Sequence, residues 1–393
     1  MNKYKDLFTT YKNSDLIYLD SASTTQKPDV VVSAINNYLS KISVNPGRGS
    51  YSASNHLSKE EENIRQKVAD FINAESANDI VFTSGATESI NAVMYSWALH
   101  NLNNGDEILL CKQDHQSTIL PWLQLKELLK QMGKAIELKY YTHTQYLGNA
   151  DIESIKSQIT SKTKLIVLTH IHNVYGTLTN VQNVKDIATN IPILLDVSQT
   201  ISHIPTNIQE LGIDFLVFSG HKMFALEGIG ILYINPKYHK QLNPFILGSK
   251  GNKEKKDIPS EILESGTLNT LGIISLGAAI DFMNKIHVDN IHNYLNDLTN
   301  YLYTSLKNIN NIEFLSGFAY DQSKEGYGII SFRIRGKTSS EIGEYLSENS
   351  ILVRTGTHCI ADTSNIEDSL RISLQIYNIK EDINQLVFVL KDL

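Results

Sequence analysis

Through the middle of the chain, short apolar runs alternate with helical patterns. The runs cover residues 80–83, 107–111, 165–169, 193–196, 215–218 and 230–234. Most are largely apolar, as strands covered on both faces are. Strands that alternate with helices predict an α/β fold built on a mostly parallel, doubly wound sheet. With 393 residues, 41% of them apolar, the chain can bury a sizeable core and suits two domains or one large α/β domain.

Local signals mark some of the helices. Ser58 and Glu61 read as a capping box, followed by Ile64, Val68, Phe71 and Ile72 on one face. Past Gly272 the texture changes. Residues 273–285 predict a long apolar helix, residues 328–334 a strand, and Thr338 with Glu341 a second capped helix. This predicts a large domain at 21–270 and a smaller α+β domain at 271–393, joined by residues 1–20. The basic stretch within 248–264, which contains KGNKEKKD, reads as an exposed loop.

Composition removes several classes of function. Lys and Arg number 35 against 42 Asp and Glu, a net charge of −7, so nothing favours nucleic acid or an anionic membrane as partner. The apolar runs are too short to span a bilayer, and residues 1–10 lack the apolar core of a signal peptide. Two cysteines, Cys111 and Cys359, make no disulfide framework. A soluble chain in the reducing cytoplasm is the expectation.

Open α/β sheets place their sites at the carboxyl ends of strands, so the residues after each run matter most. Thr83-Ser84-Gly85-Ala86-Thr87-Glu88-Ser89 suits a phosphate cradle at a helix start, or simply a capped helix. Asp114-His115 follows the next run. His170 and His172 follow another on a shared face, which raises metal binding, although no further ligand shows a suitable spacing. Asp196 ends a very apolar strand, where a carboxylate is costly without a partner; a surface turn is the plainer reading. Gln199 lies one short turn later. Ser219-Gly220-His221-Lys222 ends the next strand and offers a Schiff-base amine or an ordinary solvated lysine. Taken together, these residues fit one cofactor, pyridoxal 5′-phosphate, which needs a lysine, an acid facing the pyridine nitrogen and a phosphate cradle. His115 suits a ring that stacks on it. No metal is expected.

The chain resembles the class V aminotransferase-like enzymes, and more closely the SufS-type (group II) cysteine desulfurases. The resemblance runs from YLDSAS at Tyr18 through GATESIN, His115 with Pro121-Trp122, THIHNVYGT, DVSQ, FSGHK, ESGTLNT and VRTGTHC to Arg371. It implies fold type I of the pyridoxal-phosphate enzymes, with a seven-stranded type of sheet. By resemblance, Lys222 holds the cofactor, Asp196 faces its nitrogen, Gln199 its phenolic oxygen, and Asn173 stands near cofactor and substrate. Ala86, Thr87, Ser219 and His221 fall to the phosphate, with Thr267 reaching the phosphate of a second subunit in a homodimer. Arg371 would clamp the substrate carboxylate, with Asn173 and Arg354 beside it, and His115 would shuttle a proton. Cys359 would be the nucleophile, in a polar stretch no core strand would choose, while Cys111 reads as core. The implied reaction converts L-cysteine to L-alanine and passes sulfur through a Cys359 persulfide to an acceptor protein, as in iron–sulfur cluster assembly. A selenocysteine lyase, another lyase, epimerase or aminotransferase of the superfamily, and a non-catalytic partner in sulfur trafficking are the alternatives. Departures from the family pattern are Ala225-Leu226-Glu227-Gly228 after the lysine, Tyr51 after Arg48-Gly49, His172 in place of a small residue, and short segments at 248–264 and between Cys359 and Arg371.

Overall fold

The computed structural model describes residues 4–12, 14–41, 43–47, 49–249, 257–362 and 368–393. Seven strands form the central sheet: β2 (Ile80–Thr83), β3 (Glu107–Cys111), β4 (Glu137–Tyr141), β5 (Thr163–Thr169), β6 (Ile193–Asp196), β7 (Phe215–Ser219) and β8 (Gly230–Ile234). Their order is β2-β8-β7-β6-β5-β3-β4. All neighbours run parallel except β8, which is antiparallel to β2 and to β7. A parallel return would need a crossover of a dozen or more residues. Residues 220–229 are too few, and β8 turns back directly.

The apolar strands are explained by cover on both faces. Leu195, Leu216 and Ile231 point into one core, with the helix Thr270–Ile286 behind them, while Leu194, Val217 and Leu232 point into the other, against the helices Ala86–Val93 and Gln116–Gln131. Burying whole side chains on both sides contributes roughly 1.5–3 kcal/mol for each large one.

A second sheet, entirely antiparallel, has the order β12-β13-β10-β9, from β9 (Ile312–Phe314), β10 (Ile329–Ile334), β12 (Arg354–Gly356) and β13 (Ser369–Ser373). Near it, β1 (Ile17–Tyr18) pairs in parallel with β11 (Ile351–Leu352), and Asp20 bridges to Ser373. The start of the chain is therefore tied to its end. Among the described residues, no single helix is long and apolar enough to cross a membrane.

Three expectations change. The helix expected at Ser58 begins earlier and spans Ser52–Phe71. Ser58 sits inside it, its hydroxyl donating to the Ser54 carbonyl at 3.0 Å. Buried Ser54 and Leu57 extend the packed face backwards past the apparent cap. Strand β4 was not expected, because ELKYY is an edge strand with a half-exposed, polar-rich face. Of the stretch 248–264, residues 250–256 lie outside those described, and its end is not loop but the short helix Pro259–Leu263 with Ile262 and Leu263 buried. Glu264 follows and pairs with Arg65, at 2.6 Å to Nη1 and 3.0 Å to Nη2, with both side chains buried. The Thr338–Glu341 capping box forms as expected.

Candidate active site

The carboxyl ends of β2, β3, β5, β6 and β7 open on one cavity of about 230 Å³. Each strand end delivers its own part: Ala86 and Thr87 after β2, His115 after β3, Thr169, Ile171 and Asn173 at β5, Asp196 and Gln199 at β6, and Ser219, His221 and Lys222 at β7. The second sheet closes the cavity with Arg354, His358, Cys359 and Arg371, and the N-terminal segment adds Ala22 and Ser23.

One oxygen of Asp196, Oδ1, accepts from the Ser198 backbone N–H at 2.8 Å, which fixes the carboxylate at the end of its strand. Gln199 Nε2 donates to the Ala22 carbonyl at 2.8 Å. Burial lowers the Lys222 pKa below that of an ordinary lysine; Asp196 opposes this and Arg371 adds to it. That raises the share of neutral amine, the form that attacks a carbonyl or takes a proton. His115 caps the helix Gln116–Gln131, its Nδ1 accepting from the Ser117 N–H at 3.2 Å. Burial, then the Lys222 charge, pushes its pKa down to about 4. It is a neutral imidazole near pH 7, and the Nδ1 bond leaves the ring proton on Nε2.

The loop at Gly85 is held against its neighbours. Ser219 Oγ accepts from the Ala86 N–H at 2.9 Å, joining the end of β7 to the start of a helix. Glycine is required at 230, where a Cβ would stand 2.4 Å from Gly85 Cα and 2.8 Å from Gly85 N. Burial and then the Lys222 and Lys27 charges push His221 to about 4.

Arg371 lies on β13 opposite Arg354 on β12. Its Nη2 donates to Asp20 Oδ1 at 3.0 Å and its Nη1 to the Asn173 carbonyl at 3.1 Å. Arg354 Nη1 is 3.8 Å from the other Asp20 oxygen. Cys359 is exposed, and both it and His358 have left-handed backbones, with φ of 60° and 55°. The backbone around it is pinned from the opposite side of the cavity. Asn173 Nδ2 donates to the His358 carbonyl at 2.9 Å, Gln116 N–H to the Cys359 carbonyl at 2.9 Å, and Ile360 bridges to His115.

Five buried polar atoms on residues lining this cavity have no hydrogen-bond partner: Thr169 Oγ1, Asn173 Oδ1, Ser198 Oγ, His358 Nδ1 and Arg371 Nε. Such atoms are normally satisfied, and their grouping fits a polar guest. A primary amine, a fixed carboxylate, a neutral imidazole and a hydroxyl-lined helix start fit pyridoxal phosphate.

Of the residues singled out from the sequence, Thr267 stands apart, lining a separate cavity of about 330 Å³ with Gly49 and Tyr51. Asp20, His358, Thr169 and Ser198 carry site contacts that sequence reasoning did not assign. Asp20 was visible only as part of YLDSAS, and its partner Arg371 lies 351 residues away. His170 and His172 do not meet at one site. His170 lines another cavity, while His172 uses Nδ1 to accept from the Val174 and Tyr175 N–H groups, both at 3.2 Å, and faces the Gln113 carbonyl with Nε2. Glu227 is exposed and accepts from Thr24 Oγ1 at 3.1 Å, 3.5 Å from Lys27 Nζ. Its charge is answered there, outside the cavity lining. Arg48 and residues 363–367 lie outside those described.

Comparison with known proteins agrees with this geometry. The family model for class-V aminotransferases matches residues 17–386. A probable cysteine desulfurase from Synechocystis sp. is 33% identical over 94% of this chain and 89% of its own. The cysteine desulfurase of Wigglesworthia glossinidia brevipalpis is 34% identical over 95% of this chain and 92% of its own. Among solved structures, the apo cysteine desulfurase of Thermococcus onnurineus NA1 superposes with a TM-score of 0.89 at 27% identity, covering 99% of this chain and 96% of that one. The cysteine desulfurase CsdA of Escherichia coli gives 0.87 at 26% identity, covering 99% and 97%. The α/β architecture is that of fold type I pyridoxal-phosphate enzymes, as expected. On a match that spans nearly its whole length, the chain belongs to the class-V aminotransferase family.

Proposed function

We propose that this chain is a pyridoxal-phosphate-dependent cysteine desulfurase of the SufS type, acting as a homodimer and handing sulfur to an acceptor protein. The observation that carries the reading is Cys359: an exposed thiol on a backbone pinned over the cavity that also holds Lys222, Asp196 and Arg371. A plain aminotransferase has no use for a thiol there. The names of relatives 33–34% identical over nearly the whole chain support the same activity. Thr267, set apart from this cavity beside Tyr51, suits a role at the partner subunit's phosphate. A cytoplasmic, reducing compartment is part of the proposal, since the chemistry needs Cys359 as a thiol.

When bound, pyridoxal phosphate supplies an electron sink for the Cα of an amino acid. Lys222 would hold it, Asp196 would face its ring nitrogen, and Ala86, Thr87, Ser219 and His221 would surround its phosphate. Arg371 receives the substrate carboxylate, with the buried Nε as its free donor. Lys222, whose amine pKa is lowered, takes the Cα proton. Cys359 Sγ attacks the sulfur of L-cysteine, so that an S–S bond forms as the Cβ–S bond breaks. The electron pair of the broken bond stays with carbon, and protons restore Cβ and Cα, which yields L-alanine. His115, neutral and with its proton on Nε2, is placed to move one of these protons. The sum is one thiol and one L-cysteine giving one persulfide and one L-alanine, with no outside oxidant.

The test is sulfide and alanine release from L-cysteine in the presence of a reductant, for wild type and Cys359→Ala, with the visible spectrum of each recorded. Equal sulfide and alanine from wild type and neither from the variant, with unchanged cofactor absorbance, is the expected result. Sulfide release that survives in the variant refutes the assignment.

A further inference from the structure

Behind the active-site cavity, two neighbouring strands of the central sheet, β3 and β4, deliver metal-ligating side chains to one spot. In the order β5-β3-β4, Cys111 is the last residue of β3, Asp114 follows three residues on, and His143 lies just past Tyr141, the last residue of β4. Cys111 and Tyr141 are register partners, and the Asp114 N–H donates to the Cys111 carbonyl at 3.1 Å, which folds the two side chains of that turn together. One ligand atom from each of Cys111, Asp114 and His143 lies within 4.8 Å of the others. All three side chains are buried.

Asp114 is the anomaly. It is fully buried, and neither carboxylate oxygen is met by a well-formed hydrogen bond. His143 Nε2 lies 3.1 Å from Oδ1, and His143 Nδ1 is also unsatisfied. Tyr141, close by, spends its hydroxyl on the Val167 carbonyl at 3.0 Å. An imidazolium on His143 would answer Oδ1 and leave Oδ2 bare. A cation chelated by the carboxylate would answer both oxygens. A divalent ion also balances the charges of a thiolate and a carboxylate beside a neutral imidazole. We propose that Cys111, Asp114 and His143 form a zinc site distinct from the pyridoxal-phosphate cavity.

The donor set chooses the ion. A thiolate and an imidazole are poor ligands for calcium or magnesium and good ones for zinc. Zinc bonds of about 2.0–2.3 Å in a tetrahedron place ligand atoms about 3.3–3.8 Å apart, so the cluster closes on an ion with shifts of about 1 Å. His172 is not a ligand, because its Nδ1 already accepts two backbone N–H groups. Its ring packs edge-on to His143, with centroids 4.8 Å apart, and walls the site. The edge strand β4 puts the site at the rim of the sheet. The consequence is positional: Asp114 directly precedes His115, so an ion there would fix the turn that aims His115 into the catalytic cavity.

The test uses pyridoxal-phosphate-loaded protein carrying Cys359→Ser, which removes the exposed thiol as a competing ligand. After dialysis against zinc and gel filtration, metal is counted by mass spectrometry, and X-ray absorption reads the shell. The expected result is about one zinc per chain with one sulfur near 2.3 Å, reduced about tenfold or more by Cys111→Ala and by His143→Asn. Circular dichroism checks that each variant is folded, and Cys111→Ser serves if the alanine variant is not. No retained zinc, retention unchanged in the variants, or a sulfur shell that persists without Cys111 overturns the proposal.

Discussion

Arg371→Lys separates substrate capture from chemistry. In this structure Arg371 spends Nη2 on Asp20 at 3.0 Å and Nη1 on the Asn173 carbonyl at 3.1 Å, and keeps Nε unpartnered. A planar fork serves three directions at once; an ammonium on a flexible stem cannot. Lysine at 371 would remain paired with half-buried Asp20 and lose at least one charge-assisted hydrogen bond to the substrate carboxylate. Such a bond contributes about 1.5–3 kcal/mol, which at 1.4 kcal/mol per tenfold is about 10- to 140-fold in affinity. The assay is the initial rate of sulfide release across an L-cysteine series. KM rises by that factor while kcat falls much less, because Lys222 and Cys359 are untouched. Inhibition by L-alanine, which shares the carboxylate, weakens by a similar factor. An unchanged KM with a collapsed kcat would refute the argument and make Arg371 a structural partner of Asp20 alone.

Two other outcomes follow from the same geometry. Gly230→Ala drives a methyl group into the Gly85 backbone, at 2.4 Å from its Cα; bound pyridoxal phosphate, followed by visible absorbance during dialysis, should be lost at least about tenfold faster than from wild type, and equal retention would show that the loop does not hold the phosphate. Acid stability follows from buried histidines outside the catalytic cavity. Burial pushes His170 and His203 to about 4 and His172 to about 3, whereas the unfolded chain takes up these protons near pH 6.5. Between those values the unfolded state binds more protons, so stability should fall as the pH drops from about 6.5 toward 4. Urea unfolding at pH 7, 6, 5 and 4 reads the slope, and a flat or rising curve toward acid would contradict it.

Much of this site was legible because its residues end strands. Asp196, Ser219 and Lys222 each sit at or just past the carboxyl end of an apolar run, and a run of apolar residues marks its own end. The direction of β8 was not legible, since an apolar strand reads the same in either sense and only the short connection decides it. The Ser58 cap misled because the local pattern is blind to Ser54 and Leu57 packing one turn earlier. Arg65 with Glu264, and Asp20 with Arg371, escaped for a different reason: they couple charges 199 and 351 residues apart, and no window along the chain contains both partners. The Cys111, Asp114 and His143 cluster has the same origin, at two strand ends brought together only by strand register.

The pinned backbone at Cys359 sets a rule for traffic through this protein. Its carbonyl and that of His358 are tethered to Gln116 and Asn173, so the thiol is a stationary berth and not a swinging arm. Only the side chain can rotate between the interior, where sulfur is loaded, and the exterior, where it leaves. Whatever unloads that sulfur must come to within bonding distance of one fixed point at the cavity mouth, with a reactive group on a projection of its own.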